Sequence, residues 1–327
     1  MEEALYDGQD LKQAYKSAEL VLEKRIDEVN ALNVFPVPDG DTGINMYLTF
    51  QSANEAVKDS LSTSAADISA KASMGALLGA RGNSGVILSQ ILRGIAKGLE
   101  SKERFTAIDF AVALQHASEA AYKSLAEPVE GTILTVIREA AERALQQARK
   151  GGNMKQTLRA ATSQARLAVI RTPEMLPTLK EAGVVDAGGK GLFYVFQGMK
   201  NVIVQKINPV KGYKAVRRKA ETAIQETVYG YDLQFLIEGE NLPIRKIQDT
   251  ISSLGESVLV VGDPSLVRVH IHTHDPQRVM DYCACQGKLK DIVNDNMDTQ
   301  VEKFKNKGSR KTGSGRKTQL SNSMITP

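Results

Sequence analysis

Apolar residues recur at helical spacing through the first 205 residues of this 327-residue chain. In 132–149 the stripe consists of Ile133, Val136, Ile137, Ala140, Ala141, Ala144 and Leu145. Similar stripes occupy 9–31, 44–58, 65–79, 84–99, 106–125, 154–171 and 189–205. Strand-like alternation is missing from this half of the sequence. About eight helices in antiparallel order would bury such stripes against one another, so we predict an all-α domain over 1–205.

The pattern changes after a charged stretch within 206–221, which we interpret as a linker. Three later segments alternate or carry β-branched residues, as strands do: Tyr231–Glu238, Ser257–Gly262 and Leu266–His274. Two helical patterns and one more strand complete this region: 242–254, 276–286 and 288–294. The order β-α-β-β-α-β predicts a smaller, ferredoxin-like α+β domain over 222–300.

The net charge of +4 originates at the C-terminal end of the sequence. Residues 301–327 hold seven Lys or Arg and one acid, so this segment carries +6 and residues 1–300 carry about −2. The folded part therefore has no basic excess, and we expect no nucleic-acid partner. Because 301–327 is rich in Gly, Ser, Thr and Lys, it is predicted to be a disordered basic tail, a linker or frayed end more than a binding arm.

Several features of the sequence are typical of a cytoplasmic protein. No apolar run approaches the roughly 20 residues of a membrane span, so we predict no transmembrane segment. The N-terminus is acidic where a signal peptide would be basic. The two cysteines, Cys283 and Cys285, lie too close together to cross-link a scaffold and are expected to be reduced thiols.

A short acidic loop, Pro38–Gly43 (PDGDTG), precedes one of the helical stripes. Asp39 and Asp41 flank a glycine and can converge on one hard cation, and Mg²⁺ takes a few carboxylates together with phosphate oxygens. The backbone amides of residues 43–45 would begin the next helix, and a helix N-terminus binds phosphate. Taken alone, Asp-Gly-Asp also fits a turn that merely caps a helix.

Three further glycine-rich segments lie between helical stripes: Gly79–Gly85 (GARGNSG), Glu130–Leu134 (EGTIL) and Asp186–Gly191 (DAGGKG). The first of them matches neither the Walker P-loop nor the Rossmann fingerprint. Small residues nevertheless let backbone amides approach an anion. Alternate loops of an up-and-down bundle lie at the same end, so all four loops could surround one ligand.

Four segments in this order resemble the ATP-binding helical-barrel domain of bacterial fatty acid kinase: NVFPVPDGDTGINM, GARGNSGVILSQ, EPVEGTILTVIRE and VDAGGKGL. That domain is similar in turn to the ATP-binding subunit of dihydroxyacetone kinase. The resemblance covers about 1–205. It implies an eight-helix barrel that binds Mg-ATP at one end.

The resemblance also implies roles for individual residues. Asp39 and Asp41 would be the catalytic carboxylates and would hold a pair of Mg²⁺ ions, with Asn33 as a weaker ligand. The implied nucleotide-binding residues are Thr42, Gly43, Ile44, Asn45, Asn83, Ser84, Thr132, Ile133, Asp186, Ala187 and Gly188. Ile44 replaces the Thr common at its position. The implied mechanism is phosphoryl transfer by positioning and charge neutralisation.

Two histidines of the second domain, His270 and His272, are two apart on a predicted strand and project from one face, with His274 next in the alternation. This region resembles the middle domain of fatty acid kinase, whose members carry a Cys where this chain has Asp232. That Cys looks like a metal partner of the two histidines, and Asp also ligates zinc, so Asp232, His270 and His272 form an expected Zn²⁺ site. Alternatively, the histidines are surface residues of an edge strand.

As a whole, the resemblance implies the catalytic subunit of a fatty acid kinase, which converts a fatty acid held by a separate lipid-carrier protein into an acyl-phosphate. Two alternatives stay open. One is a dihydroxyacetone-type kinase subunit. The other is a non-catalytic, nucleotide-binding regulatory protein, favoured because the sequence ends before the further C-terminal domain usual in such kinases. The expected partners are the lipid carrier and a second copy of the chain in a homodimer.

Overall fold

The computed structural model describes residues 4–204 and 229–310. The predicted linker, 206–221, and residues 311–327 of the predicted tail lie outside the described residues. Within the two described ranges, no helix is both long and apolar enough to cross a membrane.

Ten helices, eight of them long, make up the described part of the N-terminal region: α1 (Gly8–Glu23), α2 (Ile26–Asn30), α3 (Thr42–Glu55), α4 (Ala65–Leu78), α5 (Gly82–Gly98), α6 (Ala107–Lys123), α7 (Ile133–Arg149), α8 (Met154–Met175), α9 (Pro177–Ala182) and α10 (Ala187–Val204). Their bounds lie close to the predicted stripes, so the helical prediction is confirmed. Two short strands, β1 (Tyr6–Asp7) and β2 (Arg104–Phe105), pair antiparallel. Strands of two residues are too short to produce a periodic pattern.

Local sequence explains where several helices begin. Asp7, Thr106 and Asn153 each accept a hydrogen bond from a backbone N–H of the first turn, and the third residue of the helix returns a side-chain bond to the cap. These capping boxes satisfy amides that have no partner within the helix. They fix the first residues of α1, α6 and α8.

The long helices pack one on the next, and α10 packs against both α8 and α1. Their shared core contains Tyr15, Phe50 and Phe110, none of them more than 1% exposed. Close approach depends on small residues: a Cβ on Gly94 of α5 would overlap the backbone of Ala117 in α6. The packing agrees with an antiparallel bundle, and the eight-helix barrel implied by the resemblance stays a prediction.

The second region contains β3 (Tyr231–Glu238), α11 (Ile244–Ile251), β4 (Glu256–Asp263), β5 (Leu266–Thr273), α12 (Pro276–Ala284) and β6 (Lys288–Asn296). The strands form one sheet in the order β4-β5-β3-β6, and all neighbours are antiparallel. The two helices contribute to a core on one face of the sheet, with Phe235, Ile247 and Val279 buried together. The α+β prediction is confirmed.

The other face of this sheet packs against the helical region. Leu259 and Val261 of β4 belong to the core of the helices, and Leu259 makes an isolated bridge with Leu125. Side chains alternate along a strand, so the same face carries the polar residues of β3 and β5. These are Asp232, Gln234, Arg268, His270 and His272, and the packing places them near the beginning of α5.

A last helix, α13 (Met297–Arg310), follows β6. The sequence-based expectation of disorder from residue 301 onward is wrong for 301–310, which are helical. Met297 and Val301 are buried in a small cluster with Val37 and Tyr229. Because Met297, Val301 and Phe304 recur at i, i+4 and i+7, they give α13 an apolar stripe that outweighs the polar composition of the segment.

Candidate functional site

The acidic loop folds around the buried side chain of Asn33. The Asn33 amide donates to the Val37 carbonyl (2.5 Å) and to Asp39 Oδ1 (3.1 Å), and its own oxygen accepts from the Thr42 hydroxyl. The backbone N–H of Asp41 donates to Asp39 Oδ1 (3.3 Å). Asn33 thus braces the loop, and its role as a metal ligand stays a prediction.

Negative charge accumulates in this loop. Burial raises the pKa of Asp39 well above its usual range, and the neighbouring charge of Asp41 raises it further. Burial also raises the pKa of Asp41, against the opposing effect of hydrogen bonds with Asp39 and Asn45. Asp232 of the sheet lies close enough to raise both. A divalent cation would relieve this repulsion, so the donor set fits Mg²⁺.

The first turn of α3 is capped from outside the loop. Asn30 Oδ1 accepts from the backbone N–H groups of Gly43 (2.7 Å) and Ile44 (3.2 Å), while Asn45 N–H bonds to the Asp41 carbonyl (2.9 Å). The three amides that the sequence assigns to phosphate are therefore engaged within the chain in this structure. Asn30 ends α2, and nothing in its local pattern marks it as a cap for α3.

The glycine loop before α5 lies directly beside the acidic loop. Gly82 has a φ of 57°, and a Cβ there would overlap the side-chain Nδ2 of Asn45. The Ser84 hydroxyl stands 3.5 Å from the Thr42 carbonyl. Arg81, the N-cap residue of α5, makes no side-chain cap bond. This helix N-terminus, with Asn83 and Ser84 half-buried in its first turn, suits a phosphate group.

The third and fourth loops meet each other at the same end. Thr132 caps α7 by accepting from Leu134 N–H (3.3 Å). Asp186 accepts from Gly189 N–H (2.6 Å) at the beginning of α10 and from Ile133 N–H at the beginning of α7. Burial raises its pKa to about 7 despite these two hydrogen bonds. Asp186 thus joins the two helices.

Contacts between loops show that the four helix N-termini share one end of the helical region. A Cβ on Gly188 would lie 3.3 Å from Ile133 Cβ, and one on Gly191 would overlap the Met46 sulfur of α3. Ala187, which begins α10, is buried beside them. The predicted nucleotide-binding residues are therefore gathered into one region. Their contacts with nucleotide stay a prediction.

The sheet brings Asp232, His270 and His272 together, with one potential ligand atom of each within 4.8 Å of the others. His270 Nδ1 and Asp232 Oδ1 lie 3.1 Å apart without the alignment of a hydrogen bond, and both His270 ring nitrogens lack a partner among the described residues. Strand β5 lies between β4 and β3, and His270 has no exposed surface. The alternative of surface histidines on an edge strand is therefore wrong. His274 is exposed and lies outside the cluster.

The charge states of this cluster suit a divalent ion. Burial, with a contribution from His270, lowers the pKa of His272 to about 4, so its imidazole is neutral at pH 7. Burial opposes ionisation of Asp232, but the nearby imidazoles of His270 and His272 and the hydrogen bond from Gln234 outweigh burial and lower the pKa of Asp232. An ionised carboxylate beside unprotonated imidazole nitrogen is a ligand set for a divalent metal.

The two predicted sites are parts of one continuous site. Asn83 Nδ2 of the glycine loop lies 3.4 Å from His272 Nε2 of the sheet. Gly82 N–H donates to Gln234 Oε1 (3.1 Å), and the buried guanidinium of Arg268 donates to the Ala80 carbonyl (2.5 Å). Gln234 and Arg268 are absent from the sequence prediction. Strand alternation from Asp232 and His270 would have placed both on this face.

Comparison with known proteins gives two family matches. Residues 36–201 match the DAK2 domain, and residues 228–304 match the FakA-like middle domain of fatty acid kinase. The first match covers the helices from α3 to α10, and the second covers the sheet and the beginning of α13.

Individual relatives extend across both regions. Protein YloV of Bacillus subtilis is 38% identical over 309 residues, which cover 90% of this chain and 56% of that protein. Uncharacterized protein SSP1546 of Staphylococcus saprophyticus is 38% identical over 292 residues, covering 85% and 53%. The chain spans about half the length of these curated relatives. Among solved structures, dihydroxyacetone kinase from C. freundii, in complex with AMP-PNP and Mg²⁺, is 18% identical with a TM-score of 0.44, over 58% of this chain and 33% of that one.

Proposed function

We propose that this chain, which belongs to the DAK2 domain family, binds Mg-ATP and transfers its γ-phosphoryl group to a fatty acid carboxylate. The family match supports a kinase-type function. One observation carries the finer proposal: the acidic loop of the helical region and the Asp232–His270–His272 cluster of the sheet meet at the beginning of α5. In this proposal, the groups that bind phosphate and the groups that bind the acceptor carboxylate belong to one site.

The nucleotide side of the site consists of Asp39, Asp41 and the beginning of α5. The two carboxylates would hold Mg²⁺, which neutralises charge on the β- and γ-phosphates when bound. Asn83 and Ser84 lie in the first turn of α5, and the N-terminal end of this helix would bind the phosphates. Because burial raises the pKa of Asp39 and Asp41, cation binding would displace protons and would weaken as the pH falls.

The acceptor side requires little proton chemistry. A fatty acid carboxylate is ionised at neutral pH, so one of its oxygens can attack the γ-phosphorus while the bond from γ-phosphorus to the bridging oxygen of ADP breaks. The products are an acyl-phosphate and ADP. The main obstacle is repulsion between two anions. Asp232, His270 and His272 would hold a divalent ion, Zn²⁺ by their chemistry, where that repulsion develops.

The acyl chain would be held by a separate lipid-carrier protein. The side chains that β3 and β5 direct into the site are polar, which agrees with an acyl chain bound elsewhere and a carboxylate delivered from outside. The middle-domain match at 228–304 favours a fatty acid acceptor over dihydroxyacetone.

A transfer assay tests this proposal. The chain is incubated with Mg²⁺, γ-labelled ATP and oleate, with and without a fatty-acid-binding carrier protein. We expect label in acyl-phosphate only when the carrier is present. We expect His270→Ala to lose transfer while keeping ADP binding, because His270 lies on the acceptor side. The exposed His274→Ala is its matched control.

The same assay separates the alternatives. Label on dihydroxyacetone in place of oleate would identify the dihydroxyacetone-type subunit. Nucleotide binding with no transfer to either acceptor, in the presence of the carrier, would identify a regulatory protein and refute the proposal.

A further inference from the structure

Helix α13 places an aromatic ring on the acidic loop. A Cβ added to Gly40 would overlap Cδ2 and Cε2 of Phe304, so the ring lies directly against the Gly40 backbone. Gly40 has a φ of 71°, a conformation that side-chain-bearing residues rarely adopt. The residue between the two carboxylates is therefore glycine for two reasons, its backbone conformation and the ring above it.

The beginning of α13 is anchored next to β3, which directs the helix across the loop. Met297 N–H donates to the Gly230 carbonyl (3.0 Å), and Asp298 accepts from Tyr229 N–H (2.8 Å). The side chains of Met297 and Val301 are no more than 3% exposed, and they pack with Val37, the residue before the acidic loop. Phe304 follows Val301 by three residues, on the same side of the helix.

The acidic loop is thus held between two groups. Asn33 donates a hydrogen bond to the Asp39 carboxylate, and the Phe304 ring packs against Gly40. Gly40 is the one residue between Asp39 and Asp41, so its backbone conformation sets where the two carboxylates stand relative to each other. A cation site requires two carboxylates held in place before the ion arrives.

We propose that Phe304 is a positioning residue for Mg²⁺: its ring holds the Asp39-Gly40-Asp41 turn in the conformation that binds the ion. This inference rests on the proposed function, in which that turn binds Mg-nucleotide. Phe304 contacts the loop backbone and supplies no ligand atom. Its loss should therefore change the Mg²⁺ requirement and not the nucleotide contacts made elsewhere.

The test measures ADP binding by calorimetry over a series of Mg²⁺ concentrations. We expect Phe304→Ala to raise the Mg²⁺ concentration for half-maximal binding by about tenfold or more, as loss of outer-shell support does at metal sites. Phe304→Leu, which keeps part of the contact, should fall between. Lys303→Ala, an exposed neighbour on α13, is the control and should match the wild type.

A second pair of variants tests the contact itself. Gly40→Ala introduces both backbone strain and overlap with the ring, whereas in a Phe304→Ala background only the strain remains. We expect Gly40→Ala to raise the Mg²⁺ midpoint by a smaller factor in that background than in the wild type. Equal factors would mean that the ring does not act on the loop.

The outcomes separate this inference from the proposed function. Wild-type ADP binding that needs no Mg²⁺ would overturn the proposed function. Mg²⁺-dependent binding in the wild type, with an unchanged midpoint in both Phe304 variants, would overturn only the role of Phe304.

Discussion

Replacing Asp186 by Asn should remove a pH dependence of stability that the structure places at the junction of α7 and α10. The Asp186 carboxylate is buried and accepts backbone N–H groups from both helices. Burial raises its pKa from 3.8 to about 7. Between these two values the folded chain keeps a proton on Asp186 that the unfolded chain has released.

The sign follows from that difference in bound protons. The contribution of Asp186 to the free energy of unfolding falls as the pH rises from about 4 to about 7, and it is constant above. A shift of this size corresponds to about 4 kcal/mol in total, of which about 2–3 kcal/mol develops between pH 5 and pH 8. Asn stays neutral at every pH. It lowers the free energy of unfolding by a constant amount of about 1–3 kcal/mol, because it cannot accept one of the two backbone N–H hydrogen bonds that Asp186 accepts.

Urea unfolding followed by far-ultraviolet circular dichroism at pH 5 and pH 8 measures the effect. The stability of Asp186→Asn relative to wild type should increase by about 2–3 kcal/mol from the lower to the higher pH. Asp67→Asn is the control: a hydrogen bond with Lys71 lowers the pKa of Asp67, so it titrates below this range. The same relative stability for Asp186→Asn at both pH values would mean that folding does not raise the pKa of Asp186.

Three further substitutions have defined outcomes. Leu259→Ala should lower the free energy of unfolding by about 2–4 kcal/mol and weaken ADP binding, because Leu259 joins the sheet to the helical core. Val258→Ala, on the opposite face of β4, should leave ADP binding unchanged, and calorimetric titration of ADP distinguishes the two variants. Asn30→Ala should cost about 0.5–2 kcal/mol in thermal unfolding, since the first amides of α3 lose their cap. Asp232→Ala should reduce the zinc found by elemental analysis after dialysis, whereas the exposed Asp249→Ala should not; equal zinc contents would remove Asp232 from the ligand set.

The secondary structure could be read from the sequence because each element buries one face. The 3.6-residue period in α7 and the alternation in β5 follow directly from burying one side of a helix or strand. These signals are local, since each lies within a single helix or strand.

The sequence does not predict that the Mg²⁺ loop and the histidine cluster lie next to each other. Asn83 and His272 are 189 residues apart, and their proximity depends on how the sheet packs on the helices. No periodic pattern encodes that packing. The sequence therefore presents a Mg²⁺ loop and a histidine cluster as two separate features.

The alternation of side chains along a strand would also have predicted two residues that the sequence analysis leaves out. Gln234 and Arg268 share a strand face with Asp232 and His270, and extending the alternation by one step would have included them. Charge and composition assign Phe304 to a tail because they mask its spacing from Val301. Asn30 is different: it caps a helix that begins twelve residues later, and only the fold brings the two together.

We propose that Asp39 and Asp41 form the Mg-nucleotide site, and calorimetric titration of ADP with and without Mg²⁺ tests this assignment. Wild-type protein should bind ADP in Mg²⁺ and lose about a hundredfold or more in affinity when EDTA removes the ion or when Asp39→Ala and Asp41→Ala are combined. Asp27→Ala with Asp59→Ala, two exposed acids of the same region, should bind as the wild type does. Mg²⁺-dependent binding that survives the Asp39 and Asp41 substitutions would show that other residues hold the ion.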